Sequence, residues 1–431
     1  MIPHLDTALA QPFADLEARI LASSTEVERW FRGWWTEHTP PFYASVDLRN
    51  SGFKLAPVDT NLFPGGFNNL NPHFLPLAVQ AAMAAIEKIC PEARNLLLVP
   101  ESHTRNTFYL RNVVQLATIM RQAGLNVRIG TLIPEITAPT EIAVPDSAPL
   151  LLEPLVRRGG RLGLADFDPC TILLNNDLSG GIPDILRDLH EQYVLPPLYA
   201  GWHVRRKSNH FALYETVANE FAQLLAIDPW LVNPYFARCG EVDFKGRSGE
   251  ECLAEAVADV LDRTRAKYLE YGIREQPYVV VKADAGTYGM GVMTAKSPDD
   301  VRGLNRDARK KMAVVKEGLA VRNVIIQEGV HTHETIEGAV AEPVVYMIDR
   351  FVIGGFYRVH TNRGKDENLN APGMHFQPLA FDDPCILPDH FANPDATPNR
   401  FYTYGVVARL ALLAASLELE AAAEAAQAAP A

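Results

Sequence analysis

The chain has 431 residues, 48% apolar and 21% charged, which is material for two or three hydrophobic cores and the composition of an ordinary soluble globular protein. A formal net charge of −12 with a pI near 5.5 argues against a nucleic-acid or anionic-membrane binder, whose phosphate contacts need clustered Lys and Arg. The five cysteines, Cys90, Cys170, Cys239, Cys252 and Cys385, are odd in number, far apart and without a CxxC pair, so they indicate neither a disulfide framework nor a zinc site and read as buried free thiols.

The first residues, MIPHLDTALAQPFADLE, carry no basic segment followed by an apolar core, and no later run reaches membrane-spanning length. The expected compartment is the cytoplasm. Residues 11–36 read as one amphipathic helix, with Phe13, Leu16, Ile20, Val27, Trp30 and Phe31 near helical spacing. Residues 44–71, ASVDLRNSGFKLAPVDTNLFPGGFNNLN, begin as a strand and continue as a long polar loop, the kind that in compact domains often carries function. Asp47, Arg49, Lys54, Asp59, Asn61, Asn68 and Asn69 offer both signs of charge there, which suits an α-amino acid. Asn and Gly equally serve to fix a loop's own turns.

From residue 95 the pattern becomes βαβ: NLLLVP is a short buried strand, 106–123 a helix ending at Gly124, and LNVRIGTL a second strand. TILLNND, 171–177, repeats the start, with PDILRDLHEQY read as the helix that follows. Ligands of open α/β sheets bind at the carboxyl ends of strands, where His103, Thr104, Arg105, Asn106, Asn175, Asn176 and Asp177 would cluster. Each of these also suits a helix cap. Residues 250–271 form a helix stopped by Gly272, and strands are expected at 278–282, 290–295, 322–327, 343–348 and 351–359. The C-terminal half is therefore α+β with an antiparallel sheet. ELEAAAEAAQAAPA, 418–431, is low in complexity and reads as a fraying helix or disordered tail.

VVVKADAGTYGMGVMTAKS, 279–297, sets Gly286, Gly289 and Gly291 between two β-branched runs. No Lys-Ser or Lys-Thr follows Gly291, so it is not a P-loop. Strand residues follow where a Rossmann fingerprint needs a helix. What remains is a flexible loop between antiparallel strands, able to close backbone N–H groups over a phosphate with Lys282 as a point charge nearby. A mobile hairpin turn would look the same. IIQEGV, 325–330, is a buried strand ending in a polar pair, and MIDRFVIGGFYRVHTNRGKDENLNAPG places Arg350, Arg358 and Arg363 on and after a hairpin. HTHETIE, 331–337, is not H-E-x-x-H and lacks a third ligand, so it reads as a solvated loop rather than a zinc site.

This order of strand-Lys, glycine flap, Gln-Glu hinge, Arg-bearing hairpin and Asn-rich turn resembles the ATP-grasp ligases, and the hairpin with its Asn turn resembles glutathione synthetase. DLRNSGFKLAPVDTNLFPGGFNN, VKADAGTYGMGV and IGGFYRVHTN bring it closest to the proteobacterial type of glutamate–cysteine ligase, over nearly the whole chain. The resemblance implies four regions: 1–90, an N-terminal helix and substrate loop; 91–245, a Rossmann-like α/β domain; 246–417, the ATP-grasp domain; and the tail 418–431. It implies ATP-dependent joining of glutamate to cysteine through a γ-glutamyl phosphate, with positioning and charge neutralisation supplying most of the catalysis.

On that resemblance Lys282 would pair with the α/β phosphates, and Gly286, Thr287, Tyr288 and Gly289 would close over the β/γ phosphates. Gln327, Glu328 and Val330 would bind adenine and ribose, and Arg358 would face the transferred phosphate. Glutamate would meet Arg49, Lys54, Asn61, Asn68, Asn69 and Arg105. Mg²⁺ is expected, but no E-x-N pattern follows residue 375; Asp382, Asp383 and Asn399 lie there, and Glu342, Asn368 and Asn370 stand in as the candidate ligands. A glutathione synthetase or another carboxylate–amine ligase would share every nucleotide residue, and a non-catalytic nucleotide-binding protein would have no use for Arg358.

Overall fold

The computed structural model describes residues 5–7, 11–286, 291–313, 320–378 and 401–428. Among them the strands form four sheets, of seven, six, four and two strands, packed with α-helices. The α/β and α+β class expected from the sequence is what the chain adopts.

The six-stranded sheet is built on the apolar runs. Asn95–Pro100 lies at its centre and pairs in parallel with Thr171–Asn175 on one side and Asn126–Thr131 on the other. The crossover helix Thr107–Gln122 starts where the Asn106 side chain accepts the Tyr109 N–H and buries Leu110, Val113, Leu116, Ala117 and Met120. Gly124, at φ +93°, supplies the left-handed turn that ends it.

Two expected helices differ from those observed. Residues 11–36 form two helices, Gln11–Ala22 and Ser24–Glu37, because Ser23, at φ −102° and ψ 15°, leaves helical geometry between them. PDILRDLHEQY forms only the 3₁₀ turn Asp184–Leu186. The Arg157 guanidinium takes the carbonyls of Ile185, Arg187 and Asp188, which a helix would have used internally.

In the seven-stranded sheet Ala339–Ile348 runs between Phe351–His360 and Tyr43–Asn50, and Leu55–Asn61 extends it as the partner of 43–50. The first half of the expected long loop at 44–71 is thus a hairpin. Its alternation sends Val46, Leu48 and Leu55 into the main core and turns Asp47 and Arg49 to the opposite face. Residues about 300 positions apart in the chain so become neighbouring strands of one sheet.

The four-stranded sheet is antiparallel throughout, in the order Phe236–Cys239, Val324–Glu328, Val279–Ala283, Val292–Ala295. Leu253, Val257, Val260 and Leu261 of the helix Glu250–Glu270 pack in its core. The glycine segment joins the last two strands, as its composition predicts.

The helix Phe401–Ala428 runs through the main core, with residues 406–415 all buried, and residues 418–428 continue it without a break. Glu418 receives both Nε and NH2 of Arg205, at 2.9 and 3.0 Å, and lies 3.2 Å from His210 Nδ1. Burial raises the Glu418 carboxyl, but Arg205 and His210 outweigh it and hold the pKa at about 2. A carboxyl whose folded pKa is depressed stabilises the fold above its unfolded value, and that stability is lost as pH falls from about 4.5 towards 2. Glu418→Gln is therefore expected to lower stability at pH 7 by about 3 kcal/mol. Its urea midpoint should depend less on pH below 4.5 than the wild type's; equal midpoints at pH 7 would refute the assignment.

Candidate active site

A cleft opens where the charged face of the seven-stranded sheet meets the glycine-loop end of the four-stranded one. Asp47, Arg49, Val58 and Asp59 line it from the 43–61 hairpin, Glu342 and Arg358 from the two long strands, and Lys282, Gly286, Gln327, Glu328 and Val330 from the smaller sheet. Lys207, Asp366, Glu367, Asn368 and Asn370 complete the wall.

Lys282 donates from Nζ to the carbonyl of Val58 at 2.7 Å and to Gln327 Oε1 at 2.8 Å. Burial brings its pKa down to about 8, and it remains mostly protonated at neutral pH. Because Lys282 occupies Gln327 Oε1, the amide nitrogen of Gln327 must serve another partner. Nε2 is buried and has none among the described residues, so it is a donor available to a ligand.

Arg358 and Arg49 bracket Glu342. Arg358 NH1 lies 2.9 Å from Asp47 Oδ2 and 2.5 Å from Glu342 Oε1. Burial opposes the charge on Arg358, but Asp47 and Glu342 outweigh it and keep the guanidinium protonated. Its Nε is buried with no partner among the described residues. Arg49 is fully engaged: Nε reaches Glu342 Oε2 at 3.0 Å, NH1 reaches Tyr278 Oη and the Val330 carbonyl, and NH2 reaches the Glu367 carbonyl at 2.7 Å. It ties three segments of the cleft wall together.

Lys54 and Glu328 form a pair with no exposed side-chain surface, Nζ lying 3.0 Å from both carboxylate oxygens. Trp230 Nε1 and the Tyr235 N–H complete the shell of Glu328. The expectation that Lys54 meets substrate is corrected by this placement, since its ammonium points into the interior. Glu328 likewise spends its carboxylate on Lys54, Trp230 and the Tyr235 N–H, which leaves no oxygen turned to a ribose.

Of the other expected contacts, Asn61 caps the Phe63 N–H, Asn68 bonds Asn69, and Arg105 is exposed beside the helix 107–122. None of them lines the cleft. Asn106 and Asn175 also turn out to be structural: one caps that helix, the other bonds Tyr43, Asn112 and the Pro64 carbonyl. Thr287, Tyr288 and Gly289 lie outside the described residues, as do Asp382, Asp383 and Asn399. HTHETIE is largely buried rather than solvated: Thr332 and Glu334 are fully enclosed and His331 packs edge-on against Tyr278, while Glu337 is exposed. Burial, with His333 nearby, lowers the His331 pKa to about 4.

Glu342, Asn368 and Asn370 do meet in the cleft, as the candidate Mg²⁺ set requires. They do not fit the ion: each Glu342 oxygen is held by an arginine, so its charge is already balanced, and Asn368 Oδ1 accepts the Asn370 N–H. Among the described residues no group of three His, Cys, Asp or Glu side chains forms a metal site.

Lys207, Tyr278, Asp366 and Glu367 were not singled out from the sequence. Lys207 opens the helix Lys207–Leu225 and places Nζ 2.5 Å from Asp59. Burial raises the Asp59 carboxyl, but Lys207 and Lys282 outweigh it and bring the pKa to about 2. The RRK run at 205–207 and the acidic pair after Lys365 were the available signals; Tyr278 had none.

Gly329 follows the hinge, and a Cβ there would come within 2.3 Å of the ring of the fully buried Tyr278. Gly329→Ala is expected to cost about 1–3 kcal/mol through overpacking. It should also cut activity by displacing the Tyr278–Arg49 contact; a variant with wild-type melting temperature and turnover would refute this.

A family model described as glutamate-cysteine ligase (GshA) matches residues 17–419. No match is found among the curated proteins. Among solved structures, a protein of Methylobacillus flagellatus KT provisionally named gamma-glutamylcysteine synthetase is 66% identical with a TM-score of 0.89, covering 97% of this chain and 99% of its own. A D-alanyl-alanine synthetase A from Vibrio cholerae O1 biovar eltor str. N16961 is 10% identical with a TM-score of 0.33, covering 74% of this chain and 81% of its own. A glutathione synthetase-like effector from Globodera pallida is 11% identical with a TM-score of 0.37, covering 83% and 82%. At those scores the last two carry no argument.

Proposed function

The chain belongs to the glutamate–cysteine ligase family, and we propose on that premise that the cleft between the two antiparallel sheets is where it activates glutamate with ATP and joins it to cysteine. The observation that carries this reading is the donor array of the cleft. Lys282, the amide nitrogen of Gln327 and the free edge of Arg358 converge there from three strands, and two of the buried nitrogens lack a partner among the described residues.

In this reading Lys282 neutralises the nucleotide's phosphates from a position fixed by Val58 and Gln327, and Gly286, at φ +101°, lines the cleft beside it. Gln327 and Val330 border the adenine and ribose, with Glu328 holding the hinge in place from behind. Arg358, anchored by one nitrogen to Asp47 and Glu342, offers the others to the acyl phosphate as charge develops. Glutamate lies between Arg358, Lys207 and the acidic hairpin residues. Mg²⁺ would accompany ATP as its counter-ion, and the described cleft residues offer it no ligand set of their own. The four regions 1–90, 91–245, 246–417 and 418–431 are retained as the proposed division of the chain. Among the described residues no helix is long and apolar enough to cross a membrane.

The deciding experiment measures phosphate release from ATP with Mg²⁺ and glutamate, adding cysteine, glycine or γ-glutamylcysteine in turn. Release that needs glutamate and cysteine together supports the reading. Release with γ-glutamylcysteine and glycine instead would make the protein a glutathione synthetase.

A further inference from the structure

A ligation that begins from an ammonium needs a group to take its proton, because the protonated nitrogen has no lone pair with which to attack. Six carboxylates line the cleft among the described residues, and five are neutralised by close partners. Glu328 is paired with Lys54 at 3.0 Å, and Glu342 lies between two guanidiniums. Asp59 is 2.5 Å from Lys207, Asp366 is 2.6 Å from Lys296, and Glu367 is 2.7 Å from Arg363.

Asp47 stands apart. Its ion pair among the described residues is through Oδ2 to Arg358 NH1, a nitrogen it shares with Glu342. Its side chain is 22% exposed, more than Glu342 at 3% and less than Asp59 at 35%. It projects from the middle of strand 43–50, opposite Asp59 on one side and Val344 on the other. Asp47 lies 2.9 Å from Arg358, and on the ligase reading a group so placed stands beside the acyl phosphate that Arg358 would face. Burial, together with the negative charges of Glu342 and Asp59, holds its carboxyl above the usual range against the pull of Arg358, which favours proton uptake.

We propose that Asp47 is the base of the amide-forming step: it binds the acceptor's ammonium beside Arg358 and takes one of its protons. The proposal rests on the ligase reading given above. The amine lone pair then forms the C–N bond, the C–O bond to phosphate breaks, and phosphate leaves with that electron pair. Of the two protons the nitrogen loses, one goes to the Asp47 carboxylate and on to solvent, the other to the departing phosphate.

The test compares wild type with Asp47→Asn at saturating ATP, Mg²⁺ and glutamate, using cysteine or hydroxylamine as nucleophile. Hydroxylamine is uncharged at neutral pH and traps the acyl phosphate as a hydroxamate without a base. The expected result is that the ratio of cysteine to hydroxylamine turnover falls by about 10²-fold or more in Asp47→Asn, and that Asp47→Glu recovers part of it. Hydroxamate formation by the variant also certifies that it is folded. Equal losses with both nucleophiles would make Asp47 a positioning residue for Arg358 and overturn the proposal. Recovery of both by excess Mg²⁺ would make it a metal ligand and overturn the proposal as well. A wild type that forms no hydroxamate overturns the ligase reading itself, an outcome separable from the others because it precedes any substitution.

Discussion

Arg358→Ala is expected to lower glutamate-dependent turnover by about 10²–10³-fold, the cost of removing one preorganised donor from a developing oxyanion. Its KM for ATP should move little, since Lys282 and Gln327, the proposed nucleotide contacts, lie on two other strands. The loss has two parts. The donor facing the acyl phosphate disappears, and Asp47 and Glu342, which share its NH1 nitrogen, lose the charge that lets them lie close together. Arg358→Lys separates the two: it restores the charge but cannot both bridge the carboxylates and reach a phosphate, so it should recover stability more than turnover. Steady-state kinetics with a parallel denaturation curve checks this. Turnover of the alanine variant within a few-fold of wild type would remove Arg358 from the reaction.

Lys54→Met is expected to act on stability instead, lowering it by about 3–5 kcal/mol. Its ammonium is enclosed, sits 4.3 Å from the centre of the Trp230 ring, and is the counter-charge for a carboxylate that also receives Trp230 Nε1 and the Tyr235 N–H. Burial pulls the Lys54 pKa down to about 8 against the opposing effect of Glu328. Removing the lysine leaves Glu328 charged in the interior beside two neutral donors. Chemical denaturation reads the loss, and the KM for glutamate measured on the folded fraction should stay near that of wild type. The reverse pattern, near-normal stability with a raised KM, would return Lys54 to the substrate.

The contrast between Arg358 and Lys54 shows where sequence reasoning reached the site and where it stopped. Both are basic residues within runs that resemble the ligase family, and nothing local distinguishes a cation that faces a cleft from one that faces the interior. In the strands VDLRN and FYRVH, alternation puts Asp47, Arg49 and Arg358 on the faces opposite Val46, Leu48 and Val359. Lys54 lies just ahead of Leu55, in a hairpin turn whose direction depends on Asn50 accepting the Gly52 N–H and on Trp230 waiting beneath it.

Periodicity and composition by themselves determined the βαβ run at 95–131, the helix read at 250–271 and found at Glu250–Glu270, the strands around the glycine segment and the exclusion of P-loop and Rossmann chemistry. These depend on patterns a few residues long, which local backbone preferences and one-sided burial enforce wherever the segment ends up. Only the tertiary structure decided that 43–50 pairs with 339–348, that HTHETIE is largely buried, that Lys207 comes to Asp59, and that Glu342 is shared by two arginines. Each depends on contacts between segments far apart in the chain. Whether a charge there is a ligand, a counter-ion or a base is set by which partners the fold delivers, and no short stretch of sequence carries that information.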